Sequence, residues 1–167
     1  MSLPKVLMFH GKEGSPNGRK ATFLKNHPGY HAHVPSYPSN QGPVSEVFDT
    51  CYTIAQQELA DFSPDIVIGS SFGGGILLQL VRDGVWQGPS LFLAQAGVMY
   101  SISQSLPEGV KAILIHGTQD TIVPYMDSQL LADSSSSSRL ILTNDSHALE
   151  NLLDGLFALS IDYLLCQ

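Results

Sequence analysis

Ser71 stands in Gly69-Ser70-Ser71-Phe72-Gly73, a Gly-x-Ser-x-Gly pattern that follows the β-branched run Ile66-Val67-Ile68 and precedes a segment of helical period. A strand that must become a helix within about one residue leaves the intervening serine on a sharp, strained turn with its hydroxyl exposed. Bulk two residues to either side would collide with the neighbouring strand or the first helical turn, so the glycines at 69 and 73 belong to the same device. A serine hydroxyl is a weak nucleophile until a base removes its proton. An imidazole can do that if a carboxylate fixes its tautomer and stabilises the imidazolium. His147 ends Asn144-Asp145-Ser146-His147, and Asp120 lies within His116-Gly117-Thr118-Gln119-Asp120-Thr121-Ile122-Val123-Pro124. The chain order Ser71, Asp120, His147 matches one of the three known orders for such a set. Asp145 is the rival acid, but it shares a short loop with His147 and would have to fold back on it. Asp120 is therefore the expected partner.

Other polar residues have plainer readings. His10 and His116 each precede a glycine and are expected to complete loop hydrogen bonds rather than bind metal. His31 and His33 lie at strand spacing and could chelate a metal in principle, with no carboxylate or cysteine nearby in sequence to complete a site. Lys12 and Glu13 either contact substrate at the mouth of the site or pair in a solvated loop. The glycines at 11, 14 and 18 follow a strand, yet G-x-x-x-x-G-K-[ST] and G-x-G-x-x-G are both missing there. No acidic residue ends the second strand to grip a ribose. No metal site and no cofactor is expected.

These residues need a frame that converges them. Six short apolar runs, Val6–Phe9, Tyr30–Val34, Ile66–Ile68, Ser90–Ala94, Ala112–Ile115 and Leu140–Leu142, alternate with segments of helical period. Most lack polar alternation, as strands of a parallel sheet covered on both faces do. Tyr30-His31-Ala32-His33-Val34 is the most polar and is expected at an edge. Val47, Cys51, Ile54, Ala55 and Leu59 fall at helical spacing, as do Phe72, Ile76, Leu77 and Leu80. Leu149, Leu152, Leu153, Leu156 and Phe157 suggest one closing helix, and Asn17 a cap for a helix from Gly18 to Asn26. Ser134–Ser138 reads as a solvated loop, and residues 95–110 show no clear period. The expected architecture is a single domain over residues 1–167: an α/β three-layer sandwich around a mostly parallel sheet of about six strands. In such sheets ligands bind where loops leave the carboxyl ends of the strands, and His10-Gly11, Ser71, Asp120 and His147 all follow strands.

Composition excludes several other functions. The 167 residues are 43% hydrophobic and 14% charged, with 8 basic and 15 acidic residues and a formal charge of −7. That balance disfavours nucleic acid and anionic membrane surfaces as partners. Two cysteines, Cys51 and Cys166, give neither a disulfide framework nor a CxxC pair. No basic, apolar leader and no apolar run of about 18 residues is present, so the expected location is cytoplasmic. The oligomeric state is open.

The segments His10-Gly11-Lys12-Glu13-Gly14-Ser15-Pro16, Gly69-Ser70-Ser71-Phe72-Gly73-Gly74, His116–Pro124 and Asp145-Ser146-His147 resemble the α/β-hydrolase superfamily over nearly the whole chain. They are most similar to its small cap-less bacterial esterases, the YqiA-like group, which share the opening seen here as Ser15-Pro16 and Lys20-Ala21. By the resemblance, the chain departs from the superfamily in beginning at its third strand, without the first two antiparallel strands, and in having no insertion long enough for a lid. The resemblance implies a serine hydrolase acting on a small-molecule carboxylic ester or thioester through an acyl-enzyme. The tetrahedral oxyanion needs two preorganised donors. The backbone N–H of Phe72, directly after the nucleophile, is one by geometry, and the resemblance implies that of Lys12 as the other. Gly11, Met99, Tyr100, Ile122 and Val123, with the Phe72 side chain, are expected to line a shallow, open pocket. An acyl transferase or thioesterase on a carrier-bound substrate, and a non-catalytic binding protein of the same fold, are the alternatives.

Overall fold

The computed structural model describes residues 1–167. The six apolar runs become β1 (Lys5–Phe9), β2 (His31–His33), β3 (Ile66–Ser70), β4 (Ser90–Leu93), β5 (Ala112–Gly117) and β6 (Ser138–Thr143). They form one sheet in the order β2-β1-β3-β4-β5-β6, and every neighbouring pair is parallel. The polar strand β2 lies at one edge, as its composition predicts. Four α-helices lie between strands, α1 (Arg19–Asn26), α2 (Val44–Phe62), α3 (Phe72–Arg82) and α4 (Tyr125–Asp133), and α5 (Leu156–Leu165) follows the last strand.

Strand periodicity explains how the two faces are filled. Successive side chains point to opposite sides of a sheet. Leu7, Phe9 and Val67 therefore pack with Val47, Cys51, Ile76 and Leu131 from α2, α3 and α4. Val6, Met8, Ile66 and Ile68 pack on the other face with Ala21 and Leu24 of α1 and Phe157 and Ile161 of α5. Both faces need apolar side chains, so the four inner strands show no polar alternation, while the edge strands β2 and β6 are more polar. Full burial of each such residue is worth about 1.5–3 kcal/mol. No helix is long and apolar enough to cross a membrane.

Three local expectations are corrected. Asn17 does not cap α1: the cap position is Gly18, with no side-chain cap bond. Ser15–Gly18 is instead a turn in which the Gly18 amide donates to the Ser15 carbonyl at 3.2 Å, and the Asn17 side chain lies 3.5 Å from Lys25 Nζ. The closing segment is not one helix. Glu150–Asp154 is a 3-10 turn, and Gly155, at φ 125°, re-aims the chain before α5. That conformation suits glycine, and the redirection lets Leu152 and Phe157 reach the same apolar cluster. The serine tract is not simply solvated either. Ser135 and Ser138 are buried, Ser138 opens β6, and its Oγ donates to the Ala132 carbonyl at 2.7 Å. Together with Ser134, whose Oγ donates to the Leu131 carbonyl at 2.6 Å, it satisfies carbonyls that the end of α4 leaves without helical partners.

The order of the sheet locates the site. From β1 the chain runs outward to β2 and then returns to β3 on the other side of β1. Such a reversal opens a crevice at the carboxyl ends of β1 and β3, the strands on either side of it. Gly11 follows β1 and Ser71 follows β3.

Candidate active site

Ser71 occupies φ 53°, ψ −112° between β3 and α3. A non-glycine residue held there stores about 1–3 kcal/mol of strain, which the surroundings must over-determine. Glycine spacing does so: a Cβ on Gly69 would strike the Gly73 carbonyl, and one on Gly73 the Phe9 carbonyl. The Ser71 amide also donates to the Leu93 carbonyl at 2.9 Å. The crevice is narrow here, since a Cβ on Gly11 would lie 3.6 Å from the Ser71 Cβ.

Ser71 Oγ lies 2.8 Å from His147 Nε2, and His147 Nδ1 lies 2.6 Å from Asp120 Oδ2. Residues distant in sequence thus form one hydrogen-bonded line. The Asp120 side chain is fully buried and that of His147 is 21% exposed. Asp120 Oδ1 accepts the amides of Ile122 and Val123, each at 2.9 Å. Burial alone would raise the Asp120 carboxyl. The Val123 amide, the His147 imidazole and the Ile122 amide outweigh it and hold the group below its ordinary value.

Asp145 has a different role. Its Oδ1 accepts the Ser146 amide and its Oδ2 the Asn151 amide, both at 3.0 Å, which ties down the turn after β6. Its carbonyl accepts the Gln119 amide at 3.0 Å, joining this loop to the one carrying Asp120. Lys20 Nζ donates to the Ala148 carbonyl at 2.9 Å and anchors the His147 loop to α1. Burial and the neighbouring Arg19 charge push the Lys20 ammonium below its ordinary value, against an opposing pull from Asp145.

A cleft of ≈ 590 Å³ opens over Ser71, with Gly11, Lys12, Met99, Tyr100, Ile122 and Val123 in its walls. The loop of residues 95–110 therefore both connects strands and supplies a wall. The Phe72 side chain departs from expectation. Its ring is fully buried among Tyr37, Phe48 and Tyr100 rather than in the cleft. Only its main chain, at the first turn of α3, remains available to the site. A helix N-terminus favours negative charge, and the loop hydrogen bonds engage neither the Phe72 amide nor the Lys12 amide. Lys12 Nζ sits 3.7 Å from Glu13, so these two residues pair and also border the cleft.

The remaining histidines separate. His31 and His33 both pack against the Phe62 ring, at 5.4 and 5.3 Å between ring centres, and His33 Nε2 also meets Glu58 Oε2 at 2.7 Å. His10 is stacked on Tyr37, its Nδ1 2.8 Å from the Gly11 carbonyl and its buried Nε2 without a partner. Burial lowers its pKa against the raising effect of the Gly11 carbonyl. His116 does more than complete a loop: its Nε2 lies 3.0 Å from Asp120 Oδ2. Reading the sequence missed this contact, although the spacing of four between His116, at the end of β5, and Asp120 was visible. It also missed Arg19 at the cleft, which sits in an ordinary amphipathic helix, and it picked out Lys20 by resemblance without placing it there.

No family model and no curated protein matches the sequence. Solved structures do. A candidate hydrolase of the alpha/beta superfamily from Xanthomonas campestris pv. campestris is 18% identical, with TM-score 0.79, over 100% of both chains. The mouse alpha/beta hydrolase domain-containing protein 10 is 20% identical with TM-score 0.76, over 98% of this chain and 90% of that one. Est1E from Butyrivibrio proteoclasticus is 15% identical with TM-score 0.74, over 98% of this chain and 87% of that one. At such identities the likeness is one of architecture, and it agrees with the sheet order and the strand–serine–helix turn: the chain has the α/β-hydrolase fold.

Proposed function

We propose that the protein is a serine hydrolase that cleaves a small carboxylic ester or thioester. The observation that carries the reading is the 2.8 Å approach of His147 Nε2 to the hydroxyl of a serine held in a strained turn. His147 accepts the Ser71 proton as Oγ attacks the acyl carbon, and Asp120 stabilises the imidazolium that forms. The amides of Phe72 and Lys12 receive the oxyanion, and loss of one such donor typically costs about 2.7–4 kcal/mol of transition-state stabilisation. His147 then gives its proton to the leaving group. Water activated by the same imidazole cleaves the acyl-enzyme, so the cycle needs no cofactor. Kinship with the cap-less YqiA-like esterases belongs to this proposal and rests on Ser15-Pro16 and Lys20-Ala21, all four of which border or adjoin the cleft.

Ser71→Ala is predicted to abolish turnover of p-nitrophenyl acetate while leaving the circular dichroism spectrum and melting temperature essentially unchanged. Undiminished turnover in the folded variant would remove the reading. Comparing matched ester and acyl-thioester substrates then separates an esterase from a thioesterase or an acyl transferase.

A further inference from the structure

Asp120 has two imidazoles, and the mechanism just described uses one. We propose that His116 is a positioning residue: its Nε2–H, in a tautomer set by Ser128 and Gln95, holds Asp120 Oδ2 in place for His147 and moderates the carboxylate's pull on that base. The inference rests on the serine-hydrolase reading.

The protons around His116 can be placed from its partners. Nε2 lies 3.0 Å from Asp120 Oδ2 and 3.0 Å from the Val123 carbonyl. Both partners are acceptors only when Asp120 is ionised, so Nε2 carries the proton. Nδ1 lies 2.8 Å from Ser128 Oγ. Ser128 Oγ in turn lies 3.4 Å from Gln95 Nε2, an amide donor. The Gln95 amide is itself oriented, because its Oε1 accepts the Gly97 amide at 2.8 Å. The direction is consistent throughout: Gln95 donates to Ser128, Ser128 to His116 Nδ1, and His116 Nε2 to Asp120. Every member comes from a different element or loop: the end of β5 for His116, α4 for Ser128 and the loop after β4 for Gln95.

The whole chain is buried, and His116 and Gln95 are fully so. An unmatched donor or acceptor there would be costly. Asp120 Oδ1 is saturated by the Ile122 and Val123 amides, and Oδ2 is shared between the two imidazoles. Without the His116 N–H, Oδ2 would have His147 as its sole partner and would be freer to turn. It would also carry more charge toward His147, making the base harder to deprotonate. The charged and titratable groups placed around His147 are Asp120 on its Nδ1, His116 beyond that carboxylate, Lys20 of α1, which holds the adjoining Ala148 carbonyl, and Asp145 two residues before it. Asp127 of α4 bears on His116. Of the contacts to groups around His147, the substitutions below alter only the one between His116 and Asp120; they also change His116's own bonds to Ser128 and the Val123 carbonyl.

The test compares three variants with wild type. His116→Leu removes both nitrogens. His116→Asn keeps a polar group within reach of Ser128 but is too short to reach Asp120. His116→Gln puts an amide N–H where Nε2 was. In His116→Leu and His116→Asn, kcat is expected to fall about 10–100-fold, as it does for partners that orient metal-ligating histidines, while KM changes less than about twofold. The acid limb of the kcat/KM–pH profile is expected to move up. His116→Gln should restore both. Imidazole nitrogen NMR provides an arm without turnover: His116 in the wild-type protein should be neutral and protonated on Nε2 at pH 7, and the His147 titration should shift upward in the first two variants. An Nδ1-protonated or charged His116, or a His147 titration and pH profile unmoved in a folded His116→Asn variant, would overturn the proposal. Absent ester turnover in wild type would instead count against the serine-hydrolase reading and leave the NMR arm to decide the role of His116.

Discussion

A carboxylate that accepts four hydrogen bonds in a buried site differs from one that caps a turn, and Asp120 and Asp145 separate on that basis. Asp120→Asn should keep the fold but lower kcat by about 10⁴-fold, the scale at which the wrong imidazole tautomer disables such a set. Asp145→Asn should leave kcat within about tenfold and cost about 0.5–2 kcal/mol of stability, the range for losing a side-chain cap. Steady-state kinetics and urea denaturation of both variants check the pair, and the reverse pattern would reassign the acid. At this scale the sequence was readable where chemistry imposes spacing. Ser71 was legible because a strand, two glycines and a helix flank it, and Asp120 was preferred because Asp145 sits too near His147. His116 was not legible, since a histidine before a glycine is compatible with many loop bonds and only the fold shows which atom its Nε2 meets.

Among the elements, the turn from β3 to α3 carries the most constraint. A Cβ on Gly73 would run into the Phe9 carbonyl, so Gly73→Ala must push apart β1 and α3. It should lose at least about 1–3 kcal/mol of stability, as overpacked positions do, with ester turnover falling in the fraction that still folds. Equal midpoints of chemical denaturation for variant and wild type would contradict that. The four inner strands were legible from their uniform apolarity, which follows from helices on both faces of the sheet. Segment ends were not. Asn17 has the chemistry of a cap, yet the Ser15–Gly18 turn takes its place. The leucines from 149 onward share a helical period, and only Gly155 with its positive φ signals that the helix is broken. The hydroxyls of Ser134 and Ser138 serve carbonyls at the end of α4, a partnership that composition cannot reveal.

The molecule as a whole places its cleft at the reversal of the sheet order with no cap over it. Short acyl groups should therefore be favoured, and kcat/KM for p-nitrophenyl acetate and butyrate should exceed that for the laurate. A steady rise with chain length would contradict the open cleft. The buried histidines also shape the response to acid. Burial lowers His10 and His116 below the ordinary value near 6.5. The unfolded chain then binds protons there that the native state refuses, so their contribution favours the native state less as pH falls through that value. The Asp120 carboxyl, also lowered, adds a loss at lower pH, as its native value is approached. Melting temperature should thus fall from pH 7 to pH 5 and further below, and a flat profile across that range would contradict the buried, neutral placement of both histidines.

The proposed hydrolysis requires that Ser71 Oγ become a nucleophile because His147 takes its proton. A fluorophosphonate probes the same activated hydroxyl, since Oγ attacks its phosphorus as fluoride leaves, and intact-protein and peptide mass spectrometry locate the phosphonyl adduct. A single adduct on the peptide containing Ser71, lost in Ser71→Ala and slowed by orders of magnitude in His147→Ala, is the predicted result. An unlabelled wild-type protein, or an adduct on another residue, would contradict it.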